Sequence, residues 1–386
     1  MDMRFSVFAW IVLAFLVFEL ICRVFFVYRE NYPVQNQQYY IAKNSQELFE
    51  KKVYDNYIVN PLERESFYRD LQSAHREIGT KINVGKIFKS EFINFRDDER
   101  ITLPNLAIKE NDLLLFGGST VLCLEVPDHL TLPSQIQKFF AQLGMKMQVH
   151  NFGRGGKKIK KIEGDIDSAI IKYPFTKNIV CLFGFNDIGW QRGRIPANFF
   201  SAVIDLFLKI FSVLLTARLV LLFIQASRVR INSKNYARAN IKFFRHLREK
   251  YLTIGIDSYF VLQPVLHTKE HLSSGEKSWL NSDPLFAVGI QSAYGTYISE
   301  GLGIVEPLVG IFNNYRGTIF VDDCHLGPLG NQILGQEIAN LVAGRPKASQ
   351  KVNDDFVKSS RSILFAAVRR GSRRRVEQNP YMYPLF

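Results

Sequence analysis

Cysteine is scarce in this chain. Cys22, Cys123, Cys181 and Cys324 lie far apart, with neither the close pairing of a zinc site nor the density of a disulfide-stapled fold. They read as buried thiols. A phosphate-binding loop is also missing. Gly153-Arg154-Gly155-Gly156-Lys157 has the wrong glycine–lysine spacing and no Ser or Thr after the lysine. There is no internal repeat and no low-complexity run. Acids are in the minority, 36 Asp and Glu against 49 Lys and Arg, for a net charge of +13. Such an excess suits nucleic acid, but no nucleic-acid-binding module accompanies it, so no nucleic-acid partner is expected.

What is present is apolar. Hydrophobic residues make up 47% of the 386, enough for one large α/β domain with attachments. Residues 5–28 are almost wholly apolar and aromatic, a length that spans a hydrocarbon core. Glu19 and Arg23 interrupt the run four residues apart, on one helix face where they can pair. No small-residue cleavage site follows. The expectation is an uncleaved single-pass membrane anchor over 1–28, with a buried helix of a soluble protein as the alternative. Flanking charges do not decide its orientation. At the other end, residues 346–386 carry nine Lys and Arg against three acids, 9 − 3 = +6. This basic tail suits an anionic membrane surface, the alternative being a solvated terminus.

Residues 29–110 are polar and aromatic without a strong period, and are expected to form a stalk or small pre-domain, with a surface helix over 62–78. Order begins abruptly after that. Strands are expected over 112–116, 146–152, 178–183, 258–262 and 318–321. Helices are expected over 132–143, 159–173, 236–251, 286–300 and 329–342. This alternation predicts a three-layer α/β/α sandwich, a mostly parallel sheet covered on both faces, over 111–345. Residues 200–225 fit less neatly. They read either as a helix plus an extra strand over 219–224 or as a lid or membrane-contacting insert.

Four polar segments stand out: Gly117-Gly118-Ser119-Thr120, Asn151-Phe152-Gly153-Arg154-Gly155-Gly156, Gly184-Phe185-Asn186-Asp187 and Asp322-Asp323-Cys324-His325. Three begin where an expected strand stops, and the fourth follows the last one. In parallel sheets ligands bind beyond the carboxyl ends of the strands, so the four segments should share one rim. Serine becomes a nucleophile when a base takes its proton, and a carboxylate-oriented histidine does that. Ser119 is the candidate nucleophile and His325 the base. Asp322 is the preferred orienting acid, with Asp323 as competitor. Backbone amides of Ser119 and of a glycine in the second segment, with the Asn186 side chain, are candidate oxyanion donors. The lysine run at 157, 158, 160 and 161 reads as a solvated helix face, or as a basic wall favouring an anionic substrate.

In this order, the four segments resemble the SGNH hydrolase superfamily, the GDSL-type lipases and esterases. Ser119 matches its first block, Asn186 the Gly-x-Asn-Asp of the third, and Asp322 with His325 the Asp-x-x-His of the last. The resemblance points to Gly156, five residues after Asn151, as the oxyanion glycine, with Gly153 second. It implies a flavodoxin-like sheet and a Ser119–His325–Asp322 triad that needs no metal or cofactor. Within the superfamily the chain resembles membrane-anchored bacterial members found with surface-polysaccharide biosynthesis. The shared features are the anchor with Glu19 and Arg23, Leu262-Gln263-Pro264 and Val321-Asp322-Asp323. That implies an esterase or acyltransferase acting on O-acyl groups of a glycan or lipid, with its domain outside the cytoplasm. A non-catalytic partner in a glycan assembly complex is the rival, and a lipid acyl esterase a further one. Gly118 and Cys123 depart from the pattern, standing where Asp and Gly are usual.

Overall fold

The computed structural model describes residues 60–77, 87–97, 99–106, 110–188, 215–280 and 284–345. The expected membrane anchor over 1–28 and the basic tail over 346–386 lie outside them. Among the described residues no helix is long and apolar enough to cross a membrane. The chain divides into two compact units, one of residues 1–34, 191–228 and 357–386, the other of 35–190 and 229–356. In the first unit only 215–228 are described.

The centre of the second unit is an eight-stranded mixed sheet in the order β1-β2-β3-β5-β4-β6-β7-β8. β1 (Phe88–Lys89), β2 (Asn94–Arg96) and β3 (Glu99–Arg100) are short and antiparallel. β4 (Asn111–Gly117), β5 (Met147–Gly153), β6 (Thr176–Phe183), β7 (Asp257–Leu262) and β8 (Val305–Pro307) run parallel. Counted among themselves, these five lie in the order 2-1-3-4-5 of a doubly wound sheet. The near-continuous apolar run Leu113-Leu114-Leu115-Phe116 reflects burial on both faces. Leu113 and Leu115 join one core, Leu114 and Phe116 the other.

The first core is roofed by α1 (Pro61–Glu77), α3 (Leu132–Gln142) and α8 (Pro328–Val342). α2 (Ser119–Leu122) is a single turn between β4 and α3. In α1, Asn60 Oδ1 caps the Leu62 N–H at 2.9 Å. The helix turns Phe67, Leu71 and Ala74, spaced by four and three, into the core. In α3 the capping Thr131 accepts from Ser134 N, and Leu132, Ile136 and Phe140 repeat every four residues on the buried face. The second core is covered by α4 (Glu163–Lys172), by residues 237–251 of α5 (Leu215–Leu252) and by α7 (Pro284–Glu300). α6 (Ser274–Trp279) is short and sends Trp279 into the first core.

Three expectations need correcting. The extra strand over 219–224 is helical, part of α5. That apolar run suits either state, and the absence of Gly or Pro between 215 and 252 lets the helix run on. The strand expected over 318–321 is reduced to one bridge, Phe320 to Leu326. The amides of Ile319 and Phe320 are instead taken by the Glu276 carboxylate at 2.8 and 3.1 Å, and β8 closes the sheet. The helix expected over 159–173 breaks at Ile162 into a 3-10 turn and α4. The described part of the segment read as a stalk supplies α1 and β1–β3 to this same body. Glu99 on β3 ties it to α4, accepting from Lys172 Nζ at 2.7 Å and from the Tyr173 hydroxyl at 2.8 Å.

Phe140 is fully buried and Ile171 is 83% exposed. Urea unfolding should show Phe140→Ala losing about 3–5 kcal/mol, and Ile171→Ala staying within about 0.5 kcal/mol of the parent.

Candidate active site

β4 ends at Gly117, followed by Gly118, and the first of these glycines is one the geometry requires. A Cβ on Gly117 would lie 2.4 Å from Val121 Cγ2 and 2.8 Å from Leu182 O. One on Gly118 would lie 2.5 Å from the Asn186 side-chain nitrogen, which would have to shift. Ser119 then opens α2, which closes on Cys123 in the left-handed region at φ 53°. Behind this turn stands Arg100, whose side chain is fully buried. Its Nε donates to Asp128 Oδ1 at 2.9 Å, and its terminal nitrogens donate to the carbonyls of Leu122, Cys123 and Val126. The loop after the candidate nucleophile is thus held from β3.

The fourth segment forms a tight reversal. Val321 N donates to His325 O at 2.9 Å, and Gly327 N to Ile319 O at 2.8 Å. Inside it, Asp322 Oδ1 accepts from Cys324 N at 2.8 Å and from His325 N at 2.7 Å. Its other oxygen, Oδ2, faces His325 Nδ1 at 2.5 Å. The three-residue spacing therefore lets one carboxylate cap the turn and orient the ring together. Across the ring, His325 Nε2 lies 2.6 Å from Ser119 Oγ. Asp323, the competing acid, offers its backbone carbonyl to Leu266 N at 2.9 Å, while the imidazole turns to Asp322.

Electrostatics follow from this packing. Burial alone would raise the Asp322 pKa, but the imidazole and the two backbone N–H groups outweigh it and hold the value at about 2. Burial likewise works against a charged His325. Asp322 and Glu125 overcome it and push the pKa well above the ordinary histidine value. Cys324 is raised to about 12 by burial, so its thiol stays protonated. Glu125 is a feature the sequence gives no warning of: its Oε1 lies 3.6 Å from His325 Nε2.

The second and third segments meet beside Gly118. Asn186 Nδ2 donates to Lys157 O at 3.3 Å. Asp187 Oδ1, in turn, accepts from Ile159 N at 2.9 Å, and burial raises the Asp187 pKa to about 6. The two glycine alternatives separate. Gly153 is packed under α2, where a Cβ would lie 2.2 Å from Leu122 N, and its N–H donates to Asn151 Oδ1 at 2.9 Å. Gly156 sits in the open at φ +67°. Among the described residues its amide has no partner, and neither has that of Ser119. The contacts that bring Gly156 to this rim run through its neighbours: Arg154 N donates to Gly117 O at 3.1 Å, and Lys157 O takes the Asn186 amide. The lysine run precedes α4 rather than lying on it. Lys157 pairs with Asp165 at 2.6 Å, and Lys160 stands 5.1 Å over the Tyr236 ring.

Sequence reasoning missed the supports. Lys269 and Glu276 form an ion pair at 2.6 Å with both side chains fully buried. Lys269 Nζ also donates to Gly317 O at 2.6 Å, and Glu276 Oε1 holds the amides of Ile319 and Phe320. The base of the histidine loop hangs on this pair. Ser273-x-x-Glu276 is legible as a capping box, but the carboxylate's second task is not.

No family model matches the chain, and no curated protein matches it. Among solved structures it is similar to the acetyl xylan esterase AlAXEase, at TM-score 0.36 and 14% identity over 60% of this chain and 99% of that one. Est24, a carbohydrate acetylesterase from Sinorhizobium meliloti, gives TM-score 0.36 and 13% identity over 61% and 99%. A lipase/acylhydrolase from Enterococcus faecalis gives 0.34 and 15% over 62% and 99%. At these scores the likeness carries no functional argument, which rests on the side-chain geometry.

Glu276→Ala leaves Lys269 charged and buried alone, and should cost about 3–5 kcal/mol. The double variant Lys269→Met, Glu276→Leu should recover part of that loss in urea unfolding. It should still lower activity, because the amides of Ile319 and Phe320 lose their acceptor.

Proposed function

We propose that this chain is a serine-dependent acyl esterase of the SGNH type. The observation that carries the reading is the relay Ser119 Oγ to His325 Nε2 at 2.6 Å and His325 Nδ1 to Asp322 Oδ2 at 2.5 Å. With the imidazole neutral, the Ser119 hydroxyl donates to Nε2 and the Nδ1–H donates to Asp322. Ser119 Oγ attacks the ester carbonyl as His325 takes its proton. The same proton then goes to the departing alkoxide, leaving an acyl-serine. Charge on the carbonyl oxygen is met by the N–H groups of Ser119 and Gly156 and by the Asn186 side chain. Asn186 Nδ2 reaches only a carbonyl at 3.3 Å, so it can exchange that contact for the oxyanion. The substrate is an O-acyl group on a glycan or a lipid-linked acceptor. This follows from the resemblance of the four segments and from the membrane anchor expected over 1–28. By the same reasoning the domain works at a membrane, outside the cytoplasm.

The rival is a non-catalytic partner of the same fold. An intact relay beside two amides without partners favours the enzyme. A fluorophosphonate probe should label the parent at Ser119 and leave Ser119→Ala unlabelled. The same substitution should reduce aryl acetate turnover by roughly 10³-fold or more. A folded parent that neither labels nor turns over supports the partner.

The pH profile gives a separate check. His325 must lose its proton to act as base, and its pKa lies well above 6.5. Accordingly kcat/KM should rise with pH, its midpoint on the alkaline side of 6.5. Asp322 remains ionised throughout this range because its pKa is about 2. In Asp322→Asn the carboxylate that favours the imidazolium is gone. The midpoint should fall, and the plateau should drop by roughly 10³–10⁴-fold.

A further inference from the structure

The lysines that follow Gly156 outnumber the acids near them. Lys157, Lys158, Lys160 and Lys161 come directly after it, and the run starts at the oxyanion side of the site, where Lys157 O takes the Asn186 amide at 3.3 Å. They stand on a fixed turn. Ile159 and Ile162 are buried in the second core, and Ile159 N donates to Asp187 Oδ1 at 2.9 Å. The acids of α4 are already taken: Asp165 pairs with Lys157 at 2.6 Å, while Glu163 and Asp167 pair with Lys250 at 2.9 and 2.8 Å. Lys158, half-buried, and Lys161, exposed, form no ion pair among the described residues. Their flank is felt next to Asn186, since burial raises the Asp187 pKa and the charges of Lys158 and Lys160 act against it. At the base the sign is reversed. Asp322 and Glu125 lie at the two ring nitrogens of His325, 2.5 and 3.6 Å away.

Resting on the serine-esterase reading, we infer that the acylated substrate is an anionic sugar, and that Lys158 and Lys161 receive its carboxylate or phosphate. The site is polarised, with acids gathered at the imidazole and cations gathered after Gly156. A negative group on the substrate is drawn to the second flank and kept from the first. That sets which way the sugar lies while its ester meets Ser119. A neutral sugar gains no such orientation. Lysine is a compact point charge without the planar fork of arginine, so this flank selects for sign rather than for the shape of one particular anion. Because the ammonium groups stay in contact with water, each adds a modest amount, and the effect belongs mainly to KM.

The test uses acetate esters matched in all but charge: p-acetoxybenzoate, its neutral methyl ester and p-acetoxyphenyl phosphate. The readout is kcat/KM for each anion divided by that for the neutral compound, compared between full-chain variants so that intrinsic reactivity cancels. From the parent to the double variant Lys158→Gln, Lys161→Gln this ratio should fall by roughly tenfold, through KM. In the parent it should also shrink as salt is raised from low ionic strength to about 0.5 M, whereas in the double variant it should stay flat. Lys158→Arg with Lys161→Arg keeps both charges and should keep the ratio. A loss confined to packing would slow charged and neutral esters alike and leave the ratio where it was. A ratio that moves for only one anion identifies carboxylate or phosphate as the group received. Ratios unchanged for both anions in the glutamine variant, while the fluorophosphonate still labels Ser119, overturn the role of the lysines alone. Failure of the parent to label or to hydrolyse any of the three removes the esterase reading and this inference together.

Discussion

One carboxylate organises the site. Asp322 holds two backbone amides with one oxygen and the imidazole with the other. Removing any of these bonds affects the rest, since the turn that positions His325 is the turn the carboxylate caps. Three donors around one acid also keep its charge in place in a buried setting that would otherwise neutralise it. The fixed charge then sets the basicity of the ring that faces Ser119. Local backbone geometry, charge state and candidate chemistry thus have a common origin in a four-residue segment.

The two loops that meet at the relay are each held by a buried ion pair of a different kind. Arg100 spreads its guanidinium donors over a carboxylate and three carbonyls, a planar fork that lysine could not replace. Lys269 and Glu276 instead bridge a carbonyl at residue 317 and two amides at 319 and 320. Both arrangements tie charged side chains to loop backbone, where a sheet ladder is absent. Loops carry the reactive groups here, and these buried charges supply the rigidity that strands supply elsewhere.

The parallel strands and the four polar segments were legible because their signals are short-range. Continuous apolar runs mark strands buried on both faces, and glycine marks the turns where backbone passes close. The Asp322–His325 spacing could be read because the whole unit lies within one turn. By contrast, Arg100 sits in a polar stretch without periodicity, and its partners are 22 to 28 residues away. Glu125 looks like any loop acid. Ile319 and Phe320 have the composition of a strand, but a glutamate more than forty residues earlier takes their amides. Pairings of that range leave no pattern in a linear chain. β8 was passed over for the opposite reason: three residues ending in proline are too few to register.

The short outer strands have a consequence for how the folded chain behaves among its own copies. The five-stranded parallel centre is rich in Leu, Ile, Val and Phe, a composition prone to stacking against like segments. The edges of the whole sheet are a two-residue strand at Phe88–Lys89 and a three-residue strand closed by Pro307. Each offers a neighbour almost no row of open amides to extend. Proline adds none at all. The sheet's margins thereby resist edge-to-edge growth, so the aggregation-prone interior stays sequestered at high local concentration.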